Sequence, residues 1–252
     1  MQDVFNEAVN QLGKGNRAVV ATVVRTKGST PQKPGAKLLV RNDGTGVGTL
    51  GGGCVEGDIW FAAKELMKRG GPTEYREYQL NEDLAAEDGL VCGGTMYFLI
   101  DPVYEPGEFL PFVKEISDAY AGLGSPVAMA TLAKPGSETE APIGAKIFVR
   151  EDGSTEGTLG SPRLDADAAK KSRELMVLGK SEYVTAEGGA EYFVEAYTTP
   201  PKLVLVGGGH VSKAIAPMAR KVGFHVYIAD DREEFSNPKR FPEAEMTVVK
   251  KP

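Results

Sequence analysis

Apolar residues at Val4, Phe5, Ala8, Val9 and Leu12 recur at three- and four-residue spacing and predict an amphipathic helix over residues 3–13. Residues 18–24 form an apolar run that reads as a strand, and residues 36–41 read as a second. Asn42-Asp43-Gly44 between them and the next segment is a strong turn signal. Helical spacing returns at Ile59, Ala62, Ala63, Leu66 and Met67, predicting a helix from about residue 55 to 69. Residues 75–80 and 95–100 are further strand candidates, and residues 109–120 a further helix, broken by Gly122 and Gly124.

The pattern then starts again. Gly35-Ala36-Lys37 is matched by Gly144-Ala145-Lys146, and Gly48-Thr49-Leu50-Gly51 by Gly157-Thr158-Leu159-Gly160, at one offset (145 − 36 = 109). Glu65-Leu66-Met67 and Glu174-Leu175-Met176 keep the same offset. Past the helix it shortens, so that Gly93-Gly94 and Tyr97-Phe98 align with Gly188-Gly189 and Tyr192-Phe193 (188 − 93 = 95). So many special positions in one register point to a duplication. Residues 1–199 therefore read as one α+β body of two copies, about 1–121 and 122–199. Two copies are too few for a solenoid and are expected to share a core.

Residues 200–252 follow a different pattern. Thr199-Pro200-Pro201 reads as a linker. Residues 202–206 are an apolar run fit for a buried parallel strand. Gly207-Gly208-Gly209-His210 comes next, then a helical pattern, then a second strand ending in Asp230-Asp231-Arg232. This order is an α/β, Rossmann-like opening, apparently incomplete at about fifty residues. Gly207 and Gly209 would approach a nucleotide, and Asp230 or Asp231 would meet its ribose, with Arg232 facing a 2′-phosphate instead. A unit that packs and binds nothing fits the same residues.

At 252 residues the chain has room for one large domain or two ordinary ones. No run is long and apolar enough to span a bilayer, and the N-terminus carries no secretory pattern, so a cytoplasmic protein without membrane contact is expected. Two cysteines make no disulfide framework, and a net charge of −6 argues against nucleic acid as a partner.

The chemistry concentrates in residues 48–58. Gly51, Gly52 and Gly53 feed a helix N-terminus, where unpaired N–H groups favour an anion and lower the pKa of a thiol such as Cys54. A tight turn with a small buried cysteine fits the local sequence as well. The copies differ here. Gly52-Gly53-Cys54 becomes Ser161-Pro162-Arg163, and Cys92 becomes Glu187. Residues 25–42 of the first copy carry Arg25, Lys27, Lys33, Lys37 and Arg41 with no acid, whereas the second copy has Glu138 and Glu140 in the matching stretch. A solvated face is the plainer account of those cations. An arginine and a glutamate at matched positions suggest a salt bridge, so Cys54 and Cys92 are expected to be neighbours in a two-thiol site, unless they are two unrelated core cysteines. Exposed sheet edges weakly favour a homodimer.

Gly28-Ser29-Thr30-Pro31, residues 48–58, Cys92-Gly93-Gly94 and the C-terminal glycine loop with Asp230-Asp231-Arg232 together resemble the XdhC/CoxI family. The resemblance covers nearly the whole chain. It implies an accessory factor that binds molybdenum cofactor, supports its sulfuration and inserts it into a xanthine dehydrogenase-type molybdenum hydroxylase. Such a factor is a cofactor chaperone more than a turnover enzyme. Its partners would be the apo hydroxylase and a cysteine desulfurase. On this reading Gly51, Gly52, Gly53, Arg25 and Lys37 hold the anionic cofactor, and Glu56 bonds the pterin or favours the helix N-terminus. Cys54 ligates molybdenum or receives sulfur, with Cys92 beside it. The alternative is an NAD(P)-dependent oxidoreductase with its cofactor on the C-terminal unit.

Overall fold

The computed structural model describes residues 1–80, 93–199 and 201–251. The chain divides into two compact units, Met1–Thr198 and Thr199–Pro252. The first copy runs α1 (Gln2–Gly13), β1 (Ala18–Lys27), β2 (Lys37–Arg41), β3 (Gly46–Gly48), α2 (Gly53–Arg69), β4 (Glu74–Gln79) and β5 (Thr95–Val103). Pro106–Ala121 (α3), which the boundary at 121/122 leaves in the first copy, stands before β6 as α1 stands before β1, so the second copy runs α3, β6 (Val127–Lys134), β7 (Lys146–Arg150), β8 (Thr155–Gly157), α4 (Pro162–Met176), β9 (Ser181–Thr185) and β10 (Glu191–Tyr197). Among the described residues each copy builds one antiparallel five-stranded sheet. The orders are β3-β2-β1-β5-β4 and β8-β7-β6-β10-β9, the same topology twice.

Strand pairing corrects one part of the repeat alignment. Val20 lies opposite Asp101 and Met129 opposite Glu195, so the offset past the helix is 94 (195 − 101 = 94), one less than the glycine pairs predict. Phe98 therefore matches Tyr192 rather than Phe193. Both face their copy's own helix, and a one-residue slip would turn them to opposite faces. Glycine pairs mark turns, whereas burial marks register. Each strand β1 and β6 also carries a one-residue bulge at matched positions, next to Arg25 and next to Lys134.

The alternation of β1 divides the core. Val19, Ala21 and Val23 turn to one face, where Val55, Ile59, Ala62 and Leu66 of α2 cover them. Ala128, Ala130 and Leu132 do the same beneath α4. The opposite faces are joined. Phe5, Ala18, Leu39 and Val103 of the first copy pack with Val127, Met129, Phe148 and Tyr197 of the second. The copies thus share an inner core, as expected, but each also keeps an outer core of its own.

The second unit is a parallel sheet ordered β11-β12-β13, from β11 (Lys202–Val206), β12 (His225–Asp230) and β13 (Met246–Val249), with α5 (His210–Lys221) between the first two. Leu203, Leu205, Val226 and Ile228 pack with Ala216 and Ala219 of α5. Val204 and Val206 stay 59% and 68% exposed while Leu203 and Leu205 are partly buried, so β11 is covered on one face only, not on both as its composition predicts. The reason is that α5 packs on one side of the sheet.

Candidate functional site

The turn into α2 is built by its own side chains. Leu50 is fully buried, which contributes roughly 2 kcal/mol and anchors the turn. Glu56, one turn into the helix, reaches back. Its Oε2 accepts from Thr49 Oγ1 and from the backbone N–H of Leu50, both at 2.6 Å, and from Gly52 N–H at 3.2 Å. Burial works against the Glu56 carboxylate, but these hydrogen bonds outweigh it and hold its pKa below the ordinary value. The second copy repeats the latch with a shorter acid, as Asp165 accepts from Thr158 Oγ1 at 2.7 Å and from Leu159 N–H at 2.6 Å. Glu56 thus closes the turn, a role its sequence position hid.

Three segments converge on this turn. Gly51 has φ of 113°, and a Cβ there would lie 2.7 Å from Pro31. A Cβ at Gly94 would strike the carbonyl oxygens of Ser29 and Lys27. The 28–32 loop, the 48–53 turn and the strand entry at 93–94 are thus in close contact. In the second copy the same junction is closed by side chains. Arg163 pairs with Glu187 and, at 3.2 Å, with Glu138. Ser161 caps α4 by accepting from Leu164 N–H at 3.2 Å, and Pro162 follows it. The first copy puts Cys54 where Arg163 stands (163 − 54 = 109) and Ser29 where Glu138 stands (138 − 29 = 109). Its helix begins after Gly52, which has no capping side chain. Cys54 is exposed in the first turn of α2. The strand register makes Gly93, not Cys92, the counterpart of Glu187 (187 − 93 = 94), and Cys92 lies outside the described residues.

Two further residues stand beside Cys54. Asp58 is one turn on along the same face of α2. It accepts from the Tyr78 hydroxyl at 2.9 Å. Burial, then the hydrogen bond and charge of Asp58, with Cys54 adding, push the Tyr78 phenol up to about 12. In the second copy Ala186 takes the place of Tyr78, since Ala186 N–H bonds Ala190 as Tyr78 pairs with Met96 (190 − 96 = 94). Sequence reasoning passed over Tyr78 and Asp58. The i, i+4 spacing of Cys54 and Asp58 was the available signal.

The cations of residues 25–42 are mostly engaged elsewhere. Lys37 leaves the inner face of its sheet, on the other side from α2. Its Nζ lies 2.7 Å from Glu195 Oε2 and 3.0 Å from Thr22 Oγ1, with the side chain 4% exposed. Its backbone touches the site, as Thr49 N–H donates to Lys37 O at 2.9 Å, but its charge does not. Arg41 pairs with Glu7 at 2.6 Å. Arg25 stacks on Tyr97 and Tyr183, 5.6 and 5.3 Å from the ring centroids, bridging the copies. Lys27, at the end of β1, and Lys33, on the loop, stand exposed. Among the described residues no group of three or more His, Cys, Asp or Glu could hold a metal ion. Among the described residues Cys54 is the soft donor at this junction, suited to a metal that arrives with other ligands.

In the second unit Asp230 ends β12 and is buried. Its Oδ2 accepts from Gly208 N–H at 2.7 Å, and its Oδ1 from Arg232 N–H at 2.9 Å and Arg232 Nε at 3.0 Å. The Arg232 side chain first, and then Gly208, hold its pKa far below the usual carboxylate range. Gly207 stands at the end of β11, and Gly209 is the N-cap of α5. Asp231 is half-exposed.

The family model described as the XdhC and CoxI family matches residues 11–79 and 122–187, one segment in each copy. The model of the XdhC Rossmann domain matches residues 203–250. The chain is 24% identical to a probable xanthine dehydrogenase subunit of Bacillus subtilis, over 92% of its own length and 65% of that protein's. It is 41% identical to the molybdenum cofactor insertion chaperone PaoD of Escherichia coli, over 29% of this chain and 23% of that one. The match thus spans less than two thirds of the length of either relative. The crystal structure of a xanthine dehydrogenase from Bacillus halodurans superposes with a TM-score of 0.66 at 23% identity, covering 98% of this chain and 68% of that one, and shares its fold. No helix among the described residues is long and apolar enough to cross a membrane. With both copies and the C-terminal unit matched, the chain belongs to the XdhC and CoxI family.

Proposed function

We propose that the first copy holds molybdenum cofactor at the Cys54 junction, and that the chain supports maturation of the cofactor and its insertion into a xanthine dehydrogenase-type molybdenum hydroxylase. The observation that carries this reading is the contrast at matched positions. The second copy closes its junction with Arg163, Glu138 and Glu187. The first copy sets a thiol, a serine hydroxyl and a helix whose N-cap, Gly52, lends no side chain at the same place. The names of two relatives, one a dehydrogenase subunit and one a cofactor insertion chaperone, support the same class of role.

The residues fit such a group. When bound, it supplies a soft, sulfur-ligated metal and an anionic pterin phosphate. Cys54 offers the thiolate to the metal. The N–H groups of Gly51 and Gly52 are already taken by Thr49 Oγ1 and Glu56 Oε2, so it is the start of α2 beyond them that offers a positive helix end to the phosphate. Tyr78 walls the site with an aromatic ring held by Asp58. Arg25 and Lys37 support the site from the sheet rather than from within it. Sulfuration with a cysteine desulfurase, a second thiol from Cys92 and a homodimeric state belong to the same reading.

The test is purification of the full chain from cells that make the cofactor, followed by molybdenum analysis and fluorescence of the oxidised pterin. Near-stoichiometric pterin supports the proposal. Absence of both, when an apo hydroxylase from the same cells retains them, overturns it.

A further inference from the structure

The C-terminal unit carries a second cleft, independent of the Cys54 junction. It opens at the C-terminal ends of β11, β12 and β13, with a volume of about 430 Å³, between Val206, Asp230, Arg232, Val248 and Lys250. The ends of parallel strands are where nucleotides bind on such sheets. In the usual arrangement a free carboxylate at the end of the second strand receives the ribose 2′-hydroxyl.

Here that carboxylate is not available. Asp230 is buried, and its two oxygens already accept from Gly208 N–H, Arg232 N–H and the Arg232 guanidinium. Asp231, half-exposed on the same cleft, lies 3.7 Å from Arg232 Nε, so the carboxylate next in line is drawn to the same guanidinium, and the cation presented beside them is Arg232. Its guanidinium lies over Phe235, 4.0 Å from the ring centroid, and is fixed by two bonds to Asp230. It remains 54% exposed and lines the cleft. Lys250 stands beside it, placed by its N–H bond of 3.0 Å to Asp230 O. A guanidinium held by a carboxylate on one edge presents a fork to a phosphate on the other.

We infer that this cleft takes a nucleotide carrying a phosphate monoester on its ribose, of the 2′-phosphate type, in preference to one with a free 2′-hydroxyl. Arg232 and Lys250 are the specificity-determining residues, and Asp230 positions Arg232. Val206 and Val248 line the floor, an apolar surface fit for a base.

Titration calorimetry on the full chain, with 2′,5′-ADP and 5′-ADP as probes, tests this. The expected result is tighter binding of 2′,5′-ADP by about tenfold or more, the scale of one lost charge-assisted contact. Arg232→Gln should erase the preference while leaving the circular dichroism spectrum unchanged, and Lys250→Gln should reduce it. Equal affinity, tighter binding of 5′-ADP, or no binding of either at millimolar concentration would each overturn the inference, as would an Arg232→Gln chain that keeps the preference. The outcome is independent of cofactor retention at Cys54.

Discussion

Lys37 and Glu195, 158 positions apart, meet at 2.7 Å in the inner core between the two copies. The duplication supplies a counterpart, since Lys146 reaches Asp101 at 2.8 Å. Each lysine pairs with the acid of the other copy, so two crossed ion pairs join the halves.

Removing one partner strands the other charge in the interior. Glu195→Ala is expected to destabilise the body by about 3 kcal/mol or more in urea unfolding. Glu187→Ala, at the exposed Arg163 pair, should cost under about 1 kcal/mol. Equal effects would contradict the assignment of Lys37 to the core.

Much of this body was legible in the sequence. Constant spacing of Gly35-Ala36-Lys37, Thr49-Leu50-Gly51 and their matches exposed the duplication, because glycines at fixed φ and buried leucines tolerate few substitutes. The pairing of Arg163 with Glu187 was legible from two opposite charges standing where the alignment put neutral cysteines. The direction of Lys37 was not. A lysine at the head of a strand reads as surface, and only the partner copy, bringing Glu195, makes its burial tolerable. The role of Glu56 was hidden for a similar reason, since its hydrogen bonds run to a turn whose shape the sequence does not show. Asp230 looked like a ribose ligand, yet Arg232 two residues later occupies both its oxygens. Local spacing predicts elements well and side-chain partners poorly where the partner is distant or where two adjacent groups satisfy each other.

The Glu56 latch predicts a pH dependence. Its pKa is lower in the folded chain than the ordinary 4.5. A lowered folded value means that the stabilisation is complete above the unfolded pKa and is lost as pH falls through the folded one. Amide exchange at Leu50 and Gly52 should therefore accelerate as pH falls below about 4.5, after correction for intrinsic exchange. Glu56→Gln should show fast exchange at pH 7 as well. Unchanged protection in that variant would remove the latch.

Tyr78 distinguishes the first junction from the second. Tyr78→Phe deletes one hydrogen bond and should change stability by about 1 kcal/mol at most. Pterin retention should fall several-fold, and Tyr78→Ala should lower it further. Retention equal to that of the unmodified chain in both variants would place Tyr78 outside the site.

The central claim is that the first copy, not the second, is the working half, and that Cys54 is its ligand. Cys54→Arg tests it most directly, because the second copy already folds with Arg163 at the matched position. Pterin and molybdenum bound per chain should be measured for the unmodified protein, Cys54→Arg and Arg163→Ala, with thermal unfolding of each. The account predicts that Cys54→Arg unfolds within a few degrees of the unmodified chain and holds almost no cofactor, while Arg163→Ala retains it in full. Full retention by Cys54→Arg, or loss in Arg163→Ala alone, would contradict it.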